Sequence, residues 1–149
     1  MIRPYALSDK QDLINILRLN TPAYFAPEEE EEFVDYIDNK REDYFVIEEA
    51  GRIVGAGGLN YFDNNTWARI SWDLVHPDFQ GQGIGKELTL FRIGEIKNKG
   101  TIRLIQVRTS QVVYLFYQRL GFELEKTEKD YWAPGFDLYQ LKMEMNKAE

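Results

Sequence analysis

Between Trp67 and Val107 the hydrophobic period changes twice, and this constrains the fold more than any other feature of the chain. Trp67 to Val75 is an apolar, β-branched run of strand character. Ile84, Leu88 and Phe91 then recur at intervals of four and three, the spacing of one helix face, and Lys97 to Gly100 supplies basic residues and a glycine stop. Ile102 to Val107 returns to strand character. A strand, helix, strand order with a crossover of this length predicts parallel pairing of the two strands.

The rest of the chain dresses this unit. Tyr44 to Glu48 and Ile53 to Asn60 precede it, with Gly51 and Asp63-Asn64-Asn65 as turn signals, and predict an antiparallel meander. A short strand around Ile2 to Ala6 leads to a helix, with Ser8 and Gln11 in capping-box spacing ahead of Leu13, Ile14 and Leu17. Pro27 and Glu28 to Glu32 open a second helix carrying Phe33, Val34 and Ile37. Five carboxylates suit the positive end of its dipole as a solvated face, with attraction of amines as the alternative. Val112, Val113, Phe116 and Leu120 form a further helical stripe ending at Gly121. Phe122 to Lys126 and Asp137 to Met145 read as a closing strand pair around Trp132 to Gly135. With 149 residues, 44% of them hydrophobic, and no internal repeat or linker, the chain reads as one α+β domain over 1–149.

Several function classes lose support from composition. The absence of cysteine removes disulfides and thiolate metal sites, and no metal is expected. The first residues lack a signal-peptide core and no apolar run approaches ~20 residues, so a cytoplasmic protein without membrane contact is expected. A net charge of -7 disfavours a nucleic-acid partner and tolerates a cationic substrate.

The turn between strand and helix, His76-Pro-Asp-Phe-Gln-Gly-Gln-Gly-Ile-Gly-Lys86, places glycines at 81, 83 and 85. The mononucleotide loop fits poorly: Gln80 stands where its first glycine belongs, and Glu87 where a hydroxyl should follow Lys86. The dinucleotide fingerprint also fails in spacing and in chain position. A third pattern, Gln/Arg-x-x-Gly-x-Gly/Ala, is met by Gln80, Gly83 and Gly85, and it resembles the acyl-coenzyme A loop of the GNAT superfamily of N-acetyltransferases. Unpaired N–H groups at a helix start bind a pyrophosphate there, and side chains would hold the backbone away from it. Glycines with a purely conformational role are the alternative. Leu115-Phe-Tyr-Gln-Arg-Leu-Gly-Phe122 resembles the family's next strand-helix segment, and the resemblance covers most of the chain.

That resemblance implies a mixed, mostly antiparallel sheet of six to seven strands, about four helices and one splayed parallel central pair. It implies acetyl-CoA as co-substrate: the pantetheine arm along Asp73, Leu74 and Val75, the pyrophosphate on Gln80, Gly81, Gln82, Gly83, Ile84, Gly85 and Lys86, and Ser110 where many relatives carry asparagine. Ser110 also suits a helix cap. Tyr117 matches the family's tyrosine that protonates the departing thiolate, with a packed aromatic as the alternative, while Tyr114 points elsewhere. The strand glutamate that many members use as base is missing, since Arg69 and Gln106 occupy those places. Asp73, on the face of Arg69 by the period of two, is the candidate that relays the proton through water, with a structural or substrate-orienting carboxylate as the alternative. His76 is read as a turn element.

The leading expectation is direct transfer of an acetyl group from acetyl-CoA to a primary amine of a small molecule, peptide or protein. A cofactor-binding sensor without turnover is the alternative from another class. Tyr24, Phe25, Tyr131 and Trp132, with Glu28 to Glu32 and Asp130, suggest a rim suited to a cationic acceptor, with core packing of the aromatics as the alternative. The family's dimers make a homodimer a further expectation.

Overall fold

The computed structural model describes residues 1–145. Along β2 (Asp43–Glu49), Tyr44 and Val46 join one apolar cluster while Phe45 and Ile47 join another. A strand apolar on both sides needs cover on both sides. Helices α1 (Lys10–Leu19) and α2 (Glu29–Asp35) cover one face through Leu13, Leu17 and Phe33, joined by Ile37 from the helical turn Tyr36–Lys40 that continues α2. Helices α3 (Ile84–Lys99) and α4 (Tyr114–Arg119) cover the other through Leu88, Ile96 and Tyr117.

The remaining strands are β1 (Ile2–Pro4), β3 (Arg52–Phe62), β4 (Trp67–Val75), β5 (Leu104–Thr109), β6 (Glu123–Ala133) and β7 (Phe136–Glu144). They form one sheet in the order β1-β2-β3-β4-β5-β7-β6. Strand β4 pairs in parallel with β5, and the other neighbours are antiparallel. This is a mixed, mostly antiparallel seven-stranded sheet with four helices, within the six to seven strands and about four helices that the family resemblance implies.

Local differences have physical causes. The first helix is introduced by a 3-10 turn, Leu7–Asp9, so Asp9 rather than Ser8 serves its start: the Ala6 N–H donates to Asp9 Oδ2 at 2.8 Å. Asp9 is buried and held by Arg3 at 2.8 Å. Strand β6 runs to Ala133, well past Lys126, because its exposed polar residues are carried by backbone bonds to β7 rather than by burial. Helix α4 starts at Tyr114, later than its stripe suggests, since the carbonyl of Ser110 binds the N–H groups of Val113 and Tyr114 in a preceding turn.

The most consequential irregularity lies in β4. Gly58 pairs with Ser71 and Ala56 with Leu74, so Gly57 alone faces both Trp72 and Asp73. Such a bulge places an extra residue in one strand and bends it, and Trp72 takes φ 49°. Parallel pairing with β5 ends at Ile70 and Val107. Beyond that point β4 and β5 part, which is the splay the family resemblance implies.

The bulge also inverts the alternation. Trp72 and Leu74 both pack in the α1–α2 cluster, while Asp73 bonds to Arg92 of α3. Asp73 is therefore not on the face of Arg69, as a strict period of two would have it. Gly57 makes room for this arrangement: a Cβ there would lie 2.8 Å from Arg92 Nη1 and 2.9 Å from Leu88 Cδ2, and would collide with the Asp73 carboxylate. Gly57→Ala should accordingly lower stability by ~1–3 kcal/mol, the usual cost of overpacking, read as a lower urea midpoint with an unchanged slope. An unchanged midpoint would show that the ion pair moves aside freely.

Candidate active site

Arginine on a core-facing stripe needs a partner, because a buried charge without one is strongly destabilising. Arg92 continues the Ile84–Leu88 row of α3 and is completely buried. Its Nη1 donates to Asp73 Oδ1 at 2.6 Å and to the Gly58 carbonyl at 3.0 Å, and its Nη2 donates to Asp73 Oδ2 at 2.8 Å. The Tyr117 hydroxyl donates to the same Asp73 Oδ2 at 2.5 Å. Burial, and then the neighbouring carboxylate, push the Tyr117 phenol well above its ordinary value. Tyr117 thus keeps its proton at neutral pH and is held in one orientation. It is also fully packed among Phe116 and Phe122, so its ring serves the core while its oxygen serves the cleft.

A cavity of about 910 Å³ opens where β4 and β5 part. Among the residues singled out in the sequence, Asp73, Val75, Gln80, Gly81, Gly83, Ile84, Gly85, Lys86, Ser110 and Tyr117 all line it. Leu74 does not: it is 1% exposed and packs in the α1–α2 core. Gln82 turns away as well, donating to the Asp78 carbonyl at 3.2 Å. Ser110 Oγ accepts the N–H of Val112 at 3.3 Å, so its hydroxyl caps the turn before α4 at the cavity wall. His76 accepts the Asp78 N–H through Nδ1 at 3.1 Å, a turn element as expected.

Gly81 and Gly83 sit at φ 77° and 83°, left-handed values that a side chain would strain. No N–H from Gly81 through Lys86 has a hydrogen-bond partner among the described residues; the first bonded amide of α3 is that of Glu87, which donates to the Gly83 carbonyl at 2.9 Å. Gly83, at the cap position, brings no side chain to satisfy them. These amides and the helix dipole converge on one end of the cavity, the arrangement that binds an anionic phosphate.

Gln80 has a role that its place in the motif did not disclose. Its Nε2 donates to Asn20 Oδ1 at 3.0 Å, while Asn20 Nδ2 donates to the carbonyls of Ile16 and Val75 at 2.9 and 3.0 Å. The buried Asn20 therefore ties α1, the end of β4 and the loop together. A polar residue directly after the apolar stripe of α1 was the only trace of this in the sequence.

The expected aromatic and acidic rim is largely spent on the protein itself. Glu30 pairs with Arg18 at 2.7 Å, and Asp130 accepts the Gly135 N–H in the β6–β7 turn. Phe25 stacks on Trp72 at 6.1 Å, and Tyr131 and Trp132 lie against Arg108. Glu29 departs from the solvated reading of its run: it is 9% exposed, lines the cavity and accepts the Ala26 N–H at 2.7 Å. Burial raises its pKa.

Residues 40–124 match the family model described as Acetyltransferase (GNAT) domain. The chain belongs to the GNAT family. A ycf52-like N-acetyltransferase of Prochlorococcus marinus is 40% identical over 55 residues, 36% of this chain and 30% of that protein. The curated relatives are longer proteins, of which this chain spans between 27% and 36%. Among solved structures, the ribosomal-protein-S18-alanine N-acetyltransferase of Escherichia coli superposes with a TM-score of 0.83 at 18% identity, covering 100% of this chain and 96% of that one. The yncA protein of Salmonella typhimurium, solved with its cofactor acetyl-CoA, superposes with a TM-score of 0.77 at 18% identity, covering 99% and 94%. At these identities the structural likeness establishes the GNAT fold. No described helix is long and apolar enough to cross a membrane, and no group of three or more potential ligand side chains is placed for a metal ion among the described residues.

The pKa of Glu29 gives this GNAT domain a stability signature. A carboxyl raised above its ordinary 4.5 binds its proton more tightly in the folded state, so stability from this group is greatest below that value and falls as pH rises through the folded pKa. Glu29→Gln should remove this decline. Urea midpoints of both proteins between pH 4 and 7, at constant ionic strength, would check it, and parallel profiles would refute it.

Proposed function

We propose that this GNAT domain is an N-acetyltransferase that moves an acetyl group from acetyl-CoA directly to a primary amine. The observation that carries the proposal is the set of unbonded amides from Gly81 to Lys86 at one end of a cavity that has the Tyr117 hydroxyl on its wall. In this assignment the amides hold the pyrophosphate, with the Lys86 ammonium available beside them. The parted edge of β4 at Asp73 and Val75 supports the pantetheine arm, and Ser110 bounds it from the turn that follows β5. When bound, the thioester supplies an activated acetyl group and a thiol leaving group.

The protein's own contribution is to position and to move a proton. Tyr117 stays protonated because its phenol is raised; its single hydroxyl hydrogen, given to Asp73 at rest, turns to the sulfur as the C–S bond breaks and negative charge develops there, and the proton shed by the acceptor nitrogen passes through water and restores the phenol. Asp73 acts as a positioning residue: Arg92 occupies both of its oxygens, and it in turn holds the phenol. Asp73 as the base toward the acceptor is not retained, because the bulge turns it to the α3 face and its oxygens are engaged.

Two measurements test the assignment. Gly83→Val should abolish acetyl-CoA binding in calorimetry while the folded state persists in circular dichroism, since both the left-handed backbone and the approach of phosphate are lost. Affinity unchanged from the parent would remove the loop from the site. Tyr117→Phe should slow thiol release by roughly 10²–10⁴-fold in single turnover with cofactor affinity nearly intact. Loss of affinity together with turnover would make Tyr117 structural. Binding of acetyl-CoA with no thiol release on any amine would favour a sensor without turnover.

A further inference from the structure

Three arginines on the cavity wall are left over by everything above: Arg119 is exposed at the end of α4, whereas Arg69 and Arg108 are half-buried on the strands. Arg69 of β4 stands in register with Gln106 of β5, and Arg108 follows two positions later on the same side of that strand. Both line the cavity. They lie on the face away from Asp73, Arg92 and Tyr117, since the bulge separates Arg69 from Asp73.

Neither has a carboxylate partner among the described residues. Arg3, Arg18 and Arg92 pair with Asp9, Glu30 and Asp73 at 2.6–2.8 Å. Arg69 instead donates Nε to Gln106 Oε1 at 2.7 Å and lies over the rings of Phe62 and Trp67, 5.0 and 5.5 Å from their centres. Its two Nη groups meet no acceptor among the described residues. Arg108 donates Nη2 to the Tyr131 hydroxyl at 2.8 Å and lies over Tyr131 and Trp132 at 5.0 and 5.8 Å. Its Nε is buried and has no hydrogen-bond partner among the described residues.

This arrangement is costly without a ligand. Burial, and then the charge of Arg108, push the Arg69 guanidinium below its ordinary value, so the pair is mutually repulsive. Yet the chain carries 25 acidic residues against 18 basic ones, and no carboxylate among the described residues pairs with Arg69 or Arg108. Aromatic stacking fixes the planes of the two forks, which is how guanidinium groups are prepared for bidentate oxyanions. The coenzyme phosphates do not supply that anion in the proposed assignment, because they belong to the amides at the far end of β4.

We infer that the acceptor is an amine that carries an oxyanion, a carboxylate or a phosphate, bound by Arg69 and Arg108 between the β6–β7 hairpin and the α1–α2 side of the cleft. The inference rests on the acetyltransferase proposal and replaces the expected cationic acceptor with an anion-bearing one.

The test measures thiol release from acetyl-CoA with matched acceptors. Free amino acids are compared with their carboxamides, and phosphoethanolamine with ethanolamine. Lysine side-chain amines in a neutral peptide complete the panel. The expected result is turnover of at least one anionic acceptor, with kcat/KM lower by about tenfold or more for its neutral partner, as for loss of a hydrogen bond to a charged group. Turnover of amino acids alone identifies the carboxylate, and of phosphoethanolamine alone the phosphate. In Arg108→Gln, the KM for the anionic acceptor should rise about tenfold or more, while the KM for acetyl-CoA stays put. Equal rates on anionic and neutral partners, or turnover of neutral and cationic amines only, would overturn this inference and leave the acetyltransferase proposal standing. No thiol release from any acceptor would overturn that proposal itself. The substrate comparison uses the unaltered protein, so it stands even if the variant fails to fold.

Discussion

The buried pair between Asp73 and Arg92 is the constraint around which the centre of this protein is arranged. Arg92 has no access to water and must find its counter-charge inside the sheet–helix interface. Asp73 reaches it only because the bulge at Trp72 turns that residue toward α3, and the bulge is accommodated because Gly57 opposite has no side chain. The bend ends the pairing of β4 with β5 at Ile70 and Val107, and the cavity lies in the opening that results. The same carboxylate holds the hydroxyl of Tyr117. Ion pair, bulge, glycine, splay and phenol are one connected device.

The opening has two differently furnished sides. Toward α3 and α4 lie the unbonded amides of the glycine loop, the phenol and its carboxylate. Toward α1, α2 and the β6–β7 hairpin lie Glu29, Trp72, Arg69 and Arg108. An acyl donor bound from one side and an amine offered from the other would meet in the gap between the strands, without either ligand crossing the backbone. The division follows from strand geometry: adjacent residues face opposite sides, and the bulge decides which residues of β4 face which.

Much of the site was legible because its chemistry is local. Gly81, Gly83 and Gly85 are read by spacing, and the loop's anion-binding capacity belongs to a glycine turn entering a helix. The family segment around Tyr117 points to a residue that lines the cavity. Asp73 lines the cavity, but strict alternation puts it beside Arg69 because it misses the bulge. Arg92 was overlooked, although an arginine continuing the Ile84–Leu88 row and followed by Ile96 is a visible anomaly on an apolar stripe. Asn20, Arg108 and the buried member of the Glu28 to Glu32 run carried weaker signals, because their importance depends on residues far away in the chain.

By itself the sequence determined the order and type of the elements, the single parallel step, and a glycine loop poised at a helix start, because hydrophobic period and turn chemistry are written in near neighbours. Only the tertiary structure decided where the parallel pair separates, which face each residue of β4 presents, and which charges remain without a partner. Those depend on contacts such as Gly57 with Asp73, Asp73 with Arg92, and Arg108 with Tyr131, which join distant segments and leave no periodic trace. A bulge of one residue is enough to exchange the faces of everything beyond it, and so the two sides of the cleft became distinguishable only once the chain was folded.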